Sequence, residues 1–193
     1  GSGNSSPGPD GIPFSLYRCL AAQVAPLFHA IICRISDFRE APADFNHGRL
    51  FLIPKDDSTA VDRTRPLTVN NTDNRITAKI ITDTITPALD HVISLSQKGF
   101  VPGRLGSPHI HTLNSQFYSS IIKRHHHFIL FLDTAKAFDS INHDFIFFML
   151  HRIHMPAWVV SSIRALFNNV CVFPVLKAGD GSPLHVTRGV EQG

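Results

Sequence analysis

The stretch His127-Phe128-Ile129-Leu130-Phe131-Leu132-Asp133-Thr134-Ala135-Lys136-Ala137-Phe138-Asp139 decides how this chain is read. Phe128 to Leu132 are five apolar residues in a row, and Asp133 follows at once. So short a run, rich in aromatic and aliphatic side chains, predicts a strand buried on both faces. Asp133 then falls where the strand emerges, and Asp139 follows six residues later. An acid at the end of a rigid strand is one way to present oxygen to a hard cation such as Mg²⁺. A plain strand meeting a turn would leave the same pattern.

Upstream, Ser6-Pro7-Gly8-Pro9-Asp10-Gly11 packs turn formers together, and Gly1-Ser2 has the look of a cloning scar. Residues 1–11 are expected to be a flexible segment. Leu16, Leu20, Val24, Leu27, Ile31 and Ile35 recur at helical spacing, with Pro26 expected to split or kink the helix. Arg49 to Lys55 predicts a strand, residues 56–64 a polar turn, and Arg65 to Val69 the returning partner. Lys55, Arg63 and Arg65 would then sit near the hairpin tip. Cations there are either a solvated surface or, given Arg's planar fork, holders of phosphate oxygens.

Thr72 to Ile85 predicts a helix with Ile76, Ile80 and Ile81 on one side, and Gln97 to Arg104 is a glycine-proline loop. His109 to Ile122 returns to helical spacing. Asn142 is suited to cap a helix burying Ile146, Met149, Leu150 and Ile153. Pro156 opens another, with Val159, Ile163, Leu166 and Val170 in step. Residues 172–187 read as a β-hairpin. Strands separated by helices place the chain in a mixed α+β class.

At 193 residues, with 43% hydrophobic and 17% charged side chains, the chain is long and apolar enough for a sizeable core. A net charge of +3 permits a nucleic-acid partner without demanding one. Cys19, Cys33 and Cys171 stand far apart with no CxxC pairing, which argues against a disulfide framework or a thiolate zinc site. His125-His126-His127 lacks a Cys or carboxylate partner at structural-site spacing. No apolar run approaches membrane-spanning length, and no signal peptide opens the sequence. An intracellular location, nuclear or cytoplasmic and not secreted, is expected.

Several separated segments resemble one family in one order. Pro7-Gly8-Pro9-Asp10-Gly11-Ile12 is similar to the opening of non-LTR retrotransposon reverse transcriptases. Leu52-Ile53-Pro54-Lys55 with Arg65-Pro66-Leu67 resembles their fingers hairpin, and Gln97-Lys98-Gly99-Phe100-Val101-Pro102-Gly103-Arg104 resembles the Q-x-G-F-x-P-G-R element. Leu132 to Asp139 resembles the first palm motif, and Gly189-Val190-Glu191-Gln192-Gly193 the start of the second. The resemblance implies a right-hand polymerase fold, as fingers plus a partial palm. Residues 12–124 would be fingers-like and 125–193 the first part of the palm, an antiparallel sheet packed on helices and truncated after the second motif begins.

It also implies nucleotidyl transfer from dNTPs to a DNA primer on an RNA template, with two Mg²⁺ (or Mn²⁺) ions. By resemblance Asp133 is a catalytic cation ligand, joined by the backbone at Thr134. Lys55, Arg65, Lys136 and Ala137 would face the triphosphate, and Gln192 and Gly193 the nucleotide and template. Phe138 matches the steric gate under the sugar. Asp139, Arg63 and Arg104 would be supporting residues. The family's third motif, with two adjacent acids, does not occur in these 193 residues, so this chain alone is expected to be inactive. Glu191 stands where relatives often carry a basic residue. Self-association through an exposed palm edge is expected. A degenerate or domesticated remnant that binds RNA or a protein is the competing reading. A metal enzyme built on Asp133, Asp139 and nearby His would leave the distant matches unexplained.

Overall fold

The computed structural model describes residues 6–57, 63–124, 126, 128–134, 136–176 and 179–190. The chain forms two units, Gly1–Ile85 with Lys136–Gly193, and Thr86–Ala135.

The first unit grows from the predicted hairpin. Leu50, Phe51, Leu52 and Ile53 favour a pleated surface, and Pro54, with no N–H, closes the ladder. They lie in β1 (His47–Pro54), antiparallel to β2 (Thr64–Asn70) in the register Phe51↔Leu67 and Ile53↔Arg65. Pro66 is tolerated because β2 is an edge strand. The other edge of β1 pairs in parallel with β3 (Cys171–Leu176). β3 in turn carries the antiparallel strands β4 (Gly179–Asp180) and β5 (Leu184–His185), so the hairpin expected over 172–187 forms. The sheet is therefore mixed rather than antiparallel. Its parallel pair joins segments more than a hundred residues apart, with helices in the crossover, as parallel pairing requires.

Among the described residues six helices complete the order. α1 (Phe14–Cys19) and α2 (Ala21–Phe38) meet at Leu20, and Pro26 sits inside α2. The break thus falls at Leu20 rather than at Pro26, the sixth residue of α2. α3 (Thr72–Leu89) is followed by α4 (Ser107–Lys123), α5 (His143–Arg152) and α6 (Ala157–Phe167). The Asn142 side chain accepts the Asp144 amide at 2.8 Å, so α5 starts with the predicted cap. Its buried residue is Phe147, while Met149 stays exposed. Among the described residues no helix is long and apolar enough to cross a membrane.

α2 and α6 pack through Ile35, Phe45 and Ala165, flanked by Ile31, Ala41 and Leu166. Small residues on α6 allow the close approach, and Ser36 and Ser162 share a hydrogen bond of 3.2 Å across it. Buried Asn46 ties the core to the sheet. Its Nδ2 donates to the carbonyls of Ala165 (2.8 Å) and Asn168 (2.7 Å), its Oδ1 accepts from Asn74 (3.0 Å), and its own carbonyl accepts the Cys171 amide (3.2 Å). The latter bond leads straight into the β1–β3 pairing. Residues 6–12 are also held. Arg75 donates to the Ser6 carbonyl at 3.0 Å, the Asp10 amide to Asn71 at 3.1 Å, and Thr72 to the Ile12 carbonyl at 2.7 Å.

The second unit contains α4 and the loop before it. No residue of α4 is buried. The strand expected over Phe128–Leu132 is not formed: the run has no regular structure, and Phe128 is 97% exposed. A strand buried on both faces must exchange its N–H and C=O groups with neighbours. Among the described residues no strand pairs with this run, so its backbone stays in water and its side chains with it.

Candidate functional site

The hairpin places its cations as its register dictates. Lys55 follows β1 directly, and its amide donates to the Arg63 carbonyl at 3.0 Å, closing the tip. Arg63 pairs with Asp56 at 2.9 Å, both exposed, an arrangement worth little in stability. Arg65 lies on β2 opposite Ile53, and Lys55 and Arg65 are both exposed. Two long cationic side chains are thus both exposed near the tip of one hairpin. That suits a polyanion better than a buried partner.

Asp133 and Thr134 are exposed, at the end of the unpaired run in the second unit. Lys136 to Asp139 belong to the first unit, where they form a turn. Lys136 has φ +52°, and its carbonyl accepts the Ser140 amide at 3.0 Å. Phe138 is 40% exposed, so part of its ring remains open to a ligand. Ala137 and Asp139 are exposed in the same turn. Ala135, Glu191, Gln192 and Gly193 lie outside the described residues, as do His125 and His127.

The turn is clasped by the residues that open the second motif. The Val190 amide donates to the Phe138 carbonyl at 2.9 Å, and the Gly189 amide to the Ile141 carbonyl at 2.7 Å. Asn142 and Arg188 add an isolated antiparallel bridge. Gly189 packs flat on the Asp139 backbone with φ +82°. His143, the first residue of α5, places Nε2 2.8 Å from the Gly189 carbonyl. Beneath the clasp lies a cavity of about 250 Å³ lined by Asn46, Asn74, His143, Phe167, Gly189 and Val190. The two motifs, some fifty residues apart in sequence, are thereby joined by the Val190–Phe138 backbone hydrogen bond.

Arg104 lies in the loop that precedes α4. Its guanidinium, with the side chain only 9% exposed, donates to the carbonyls of Ser94 (2.6 Å), Gln97 (3.0 Å) and Ile93 (3.1 Å), and to the Asp90 carboxylate (2.7 Å). Five donors in a fixed fork are what such a set of acceptors needs. Arg104 is a clamp that folds the loop over residues 90–104. Arg104→Ala is expected to cost about 2 kcal/mol locally, since it orphans several acceptors at once. Limited proteolysis would show it as faster cleavage within that loop. Arg104→Lys, with one point charge, is expected to restore little.

Sequence reasoning missed Asn46 and His143. Asn46 precedes a strand with no motif around it, and His143 reads only as the residue after a helix cap. Nothing local ties either to its distant partner. Among the described residues no three His, Cys, Asp or Glu side chains converge on one point.

Residues 53–193 match the family model described as reverse transcriptase (RNA-dependent DNA polymerase). Over 191 residues the chain is 26% identical to the transposon TX1 uncharacterized 149 kDa protein of Xenopus laevis, a likeness covering 98% of this chain. The chain spans 15% of the length of that relative.

Proposed function

We propose, since this chain belongs to the reverse transcriptase (RNA-dependent DNA polymerase) family, that it is the fingers and first palm portion of an RNA-directed DNA polymerase of a non-LTR retrotransposon. The reading extends the observed α+β architecture to a right-hand polymerase fold, with residues 12–124 as fingers and 125–193 as the start of the palm. The observation that carries it is the clasp. Val190, in the opening of one motif, donates its amide to Phe138 within the other, and Gly189 donates to Ile141, two residues past it. A nucleotide site assembled from both motifs requires that junction.

In this reading Lys55 and Arg65 hold the triphosphate of an incoming dNTP, and the backbone at Lys136 and Ala137 faces it. The Phe138 ring lies under the sugar and excludes a 2′-hydroxyl, and Gln192 and Gly193 contact nucleotide and template. Two Mg²⁺ or Mn²⁺ ions supply, in this chemistry, activation of the primer hydroxyl and charge stabilisation on the leaving pyrophosphate. The described residues do not make up such a centre by themselves, because Asp133 is a single exposed carboxylate. Asp133 and the Thr134 carbonyl are assigned as part of a donor set completed by residues outside this chain. The 193 residues alone are therefore proposed to be inactive in polymerisation, with the RNA template and DNA primer bound by the longer protein. The three free cysteines support an intracellular setting. The bare run Phe128–Leu132 supports self-association.

One observation favours the remnant reading: Asp133 follows a run that pairs with no described strand. Primer extension on an RNA template with dNTPs and Mg²⁺ separates the two. This chain is to be compared with a version lengthened through its downstream coding sequence. Extension only by the longer protein is the expected result. Silence in both would favour a remnant that binds RNA or protein without catalysis.

A further inference from the structure

His143 is partly buried and makes two contacts that its position in α5 does not require. The helix is already capped by Asn142, whose side chain takes the Asp144 amide. The imidazole packs on Phe167 with ring centroids 4.6 Å apart. Its Nε2 lies 2.8 Å from the Gly189 carbonyl oxygen. A carbonyl oxygen only accepts, so Nε2 must carry the proton. That tautomer is assigned from the hydrogen-bond geometry.

The two contacts ask different things of the side chain. The tilted contact with Phe167, at an interplanar angle of 51°, needs only a flat apolar ring. The Gly189 contact needs an N–H at one point in space. Gly189 is thereby held from both ends, its amide by the Ile141 carbonyl at 2.7 Å and its carbonyl by His143. Val190, bonded to the Phe138 carbonyl at 2.9 Å, follows without slack.

We propose that His143 is a positioning residue for nucleotide binding. It fixes Gly189 and Val190 against the Phe138 turn, so that the steric gate keeps its place. Its part in catalysis rests on the polymerase reading above; its part in the clasp does not. The ring touches no reacting atom, so its loss acts on the affinity for dNTP rather than on the chemical step.

Two measurements test this. In this chain, nitrogen-15 NMR of the imidazoles, with the His143 signal assigned by its loss in His143→Gln, is expected to show the Nε2–H tautomer and slow exchange of that proton. An Nδ1–H tautomer or free exchange would overturn the clasp role, whether or not any protein polymerises. In the lengthened polymerase, His143→Phe keeps a ring against Phe167 but removes the donor. It is expected to raise the KM for dNTP about tenfold, with kcat within about threefold of wild type, as loss of binding without loss of chemistry requires. His143→Gln, whose amide reaches the same oxygen, is expected to stay within about threefold in both. A His143→Phe enzyme with unchanged KM, or a His143→Gln enzyme as impaired as His143→Phe, would overturn the proposal. A lengthened wild-type protein that is silent would refute the polymerase reading and leave the tautomer to decide the clasp.

Discussion

Asp133→Ala abolishes primer extension by the lengthened protein and leaves the stability of the fold unchanged; that is the expected result. Asp133 is exposed, at the end of a run with no regular structure. Removal of an exposed side chain away from any cap or buried partner typically moves stability by no more than about 0.5 kcal/mol. A carboxylate that ligates a catalytic cation stands on another scale. Losing it is expected to slow extension by about a thousandfold or more, close to 4 kcal/mol of barrier. The two readouts are single-turnover extension and the urea midpoint of the same preparations. Near-normal extension by Asp133→Ala would remove Asp133 from the site, and with it the assignment of the first palm motif. A shifted urea midpoint with lost extension would show instead that the carboxylate holds structure. Asp133→Asn separates charge from shape: it keeps the volume and is expected to be as inactive as the alanine variant.

What the sequence makes legible here is local. The β1–β2 hairpin is written in a run of pleat-forming residues closed by Pro54 and resumed after a polar turn. The α5 cap is written in Asn142, and the β3 hairpin in the glycine turn after Leu176. These features depend on residues within a few positions of one another; the first two form where expected, whereas Gly179 and Asp180, read as turn, pair with β3 as β4. The misreadings share a different cause. Phe128 to Leu132 has the composition of a buried strand, but composition does not provide a sheet neighbour, and no described strand supplies one. Pro26 was a reasonable breaker by chemistry. The helix instead breaks at Leu20, and the proline lies within α2. The parallel β1–β3 pairing and the Asn46 hub join residues more than a hundred positions apart, and no periodicity encodes such a meeting. Of the candidate site, the residue types were legible, as was the hairpin tip. Arg104 was legible only as a supporting residue; its clamping of the loop was not, because burial and its acceptors are invisible in a one-dimensional pattern. The clasp at Gly189 was legible only as a motif, without the reason that a glycine must stand there.

That reason gives the strongest test of the architecture. Gly189 holds φ +82°, a conformation that costs a residue with a Cβ about 1–3 kcal/mol. A Cβ built there would also lie 2.8 Å from the Asp139 carbonyl oxygen, 2.9 Å from its Cα and 3.0 Å from its carbonyl carbon. All three are backbone atoms, so no rotamer change relieves the contact. The chain must move apart at the place where the Gly189–Ile141, Val190–Phe138 and His143–Gly189 hydrogen bonds hold it together. Overpacking of this kind adds about 1–3 kcal/mol. Gly189→Ala is thus expected to cost about 4 kcal/mol in urea unfolding, a large share of the stability of an ordinary domain. Gly11→Ala is the matched control, because Gly11 has φ +73° in the same unit but nothing within 4 Å of a new Cβ. It carries the backbone strain without the collision and is expected to cost about 1–2 kcal/mol. The difference between the two variants measures the packing of Gly189 on Asp139. Equal losses would mean that the second motif does not rest on the first, and the junction on which the polymerase reading depends would fail with it.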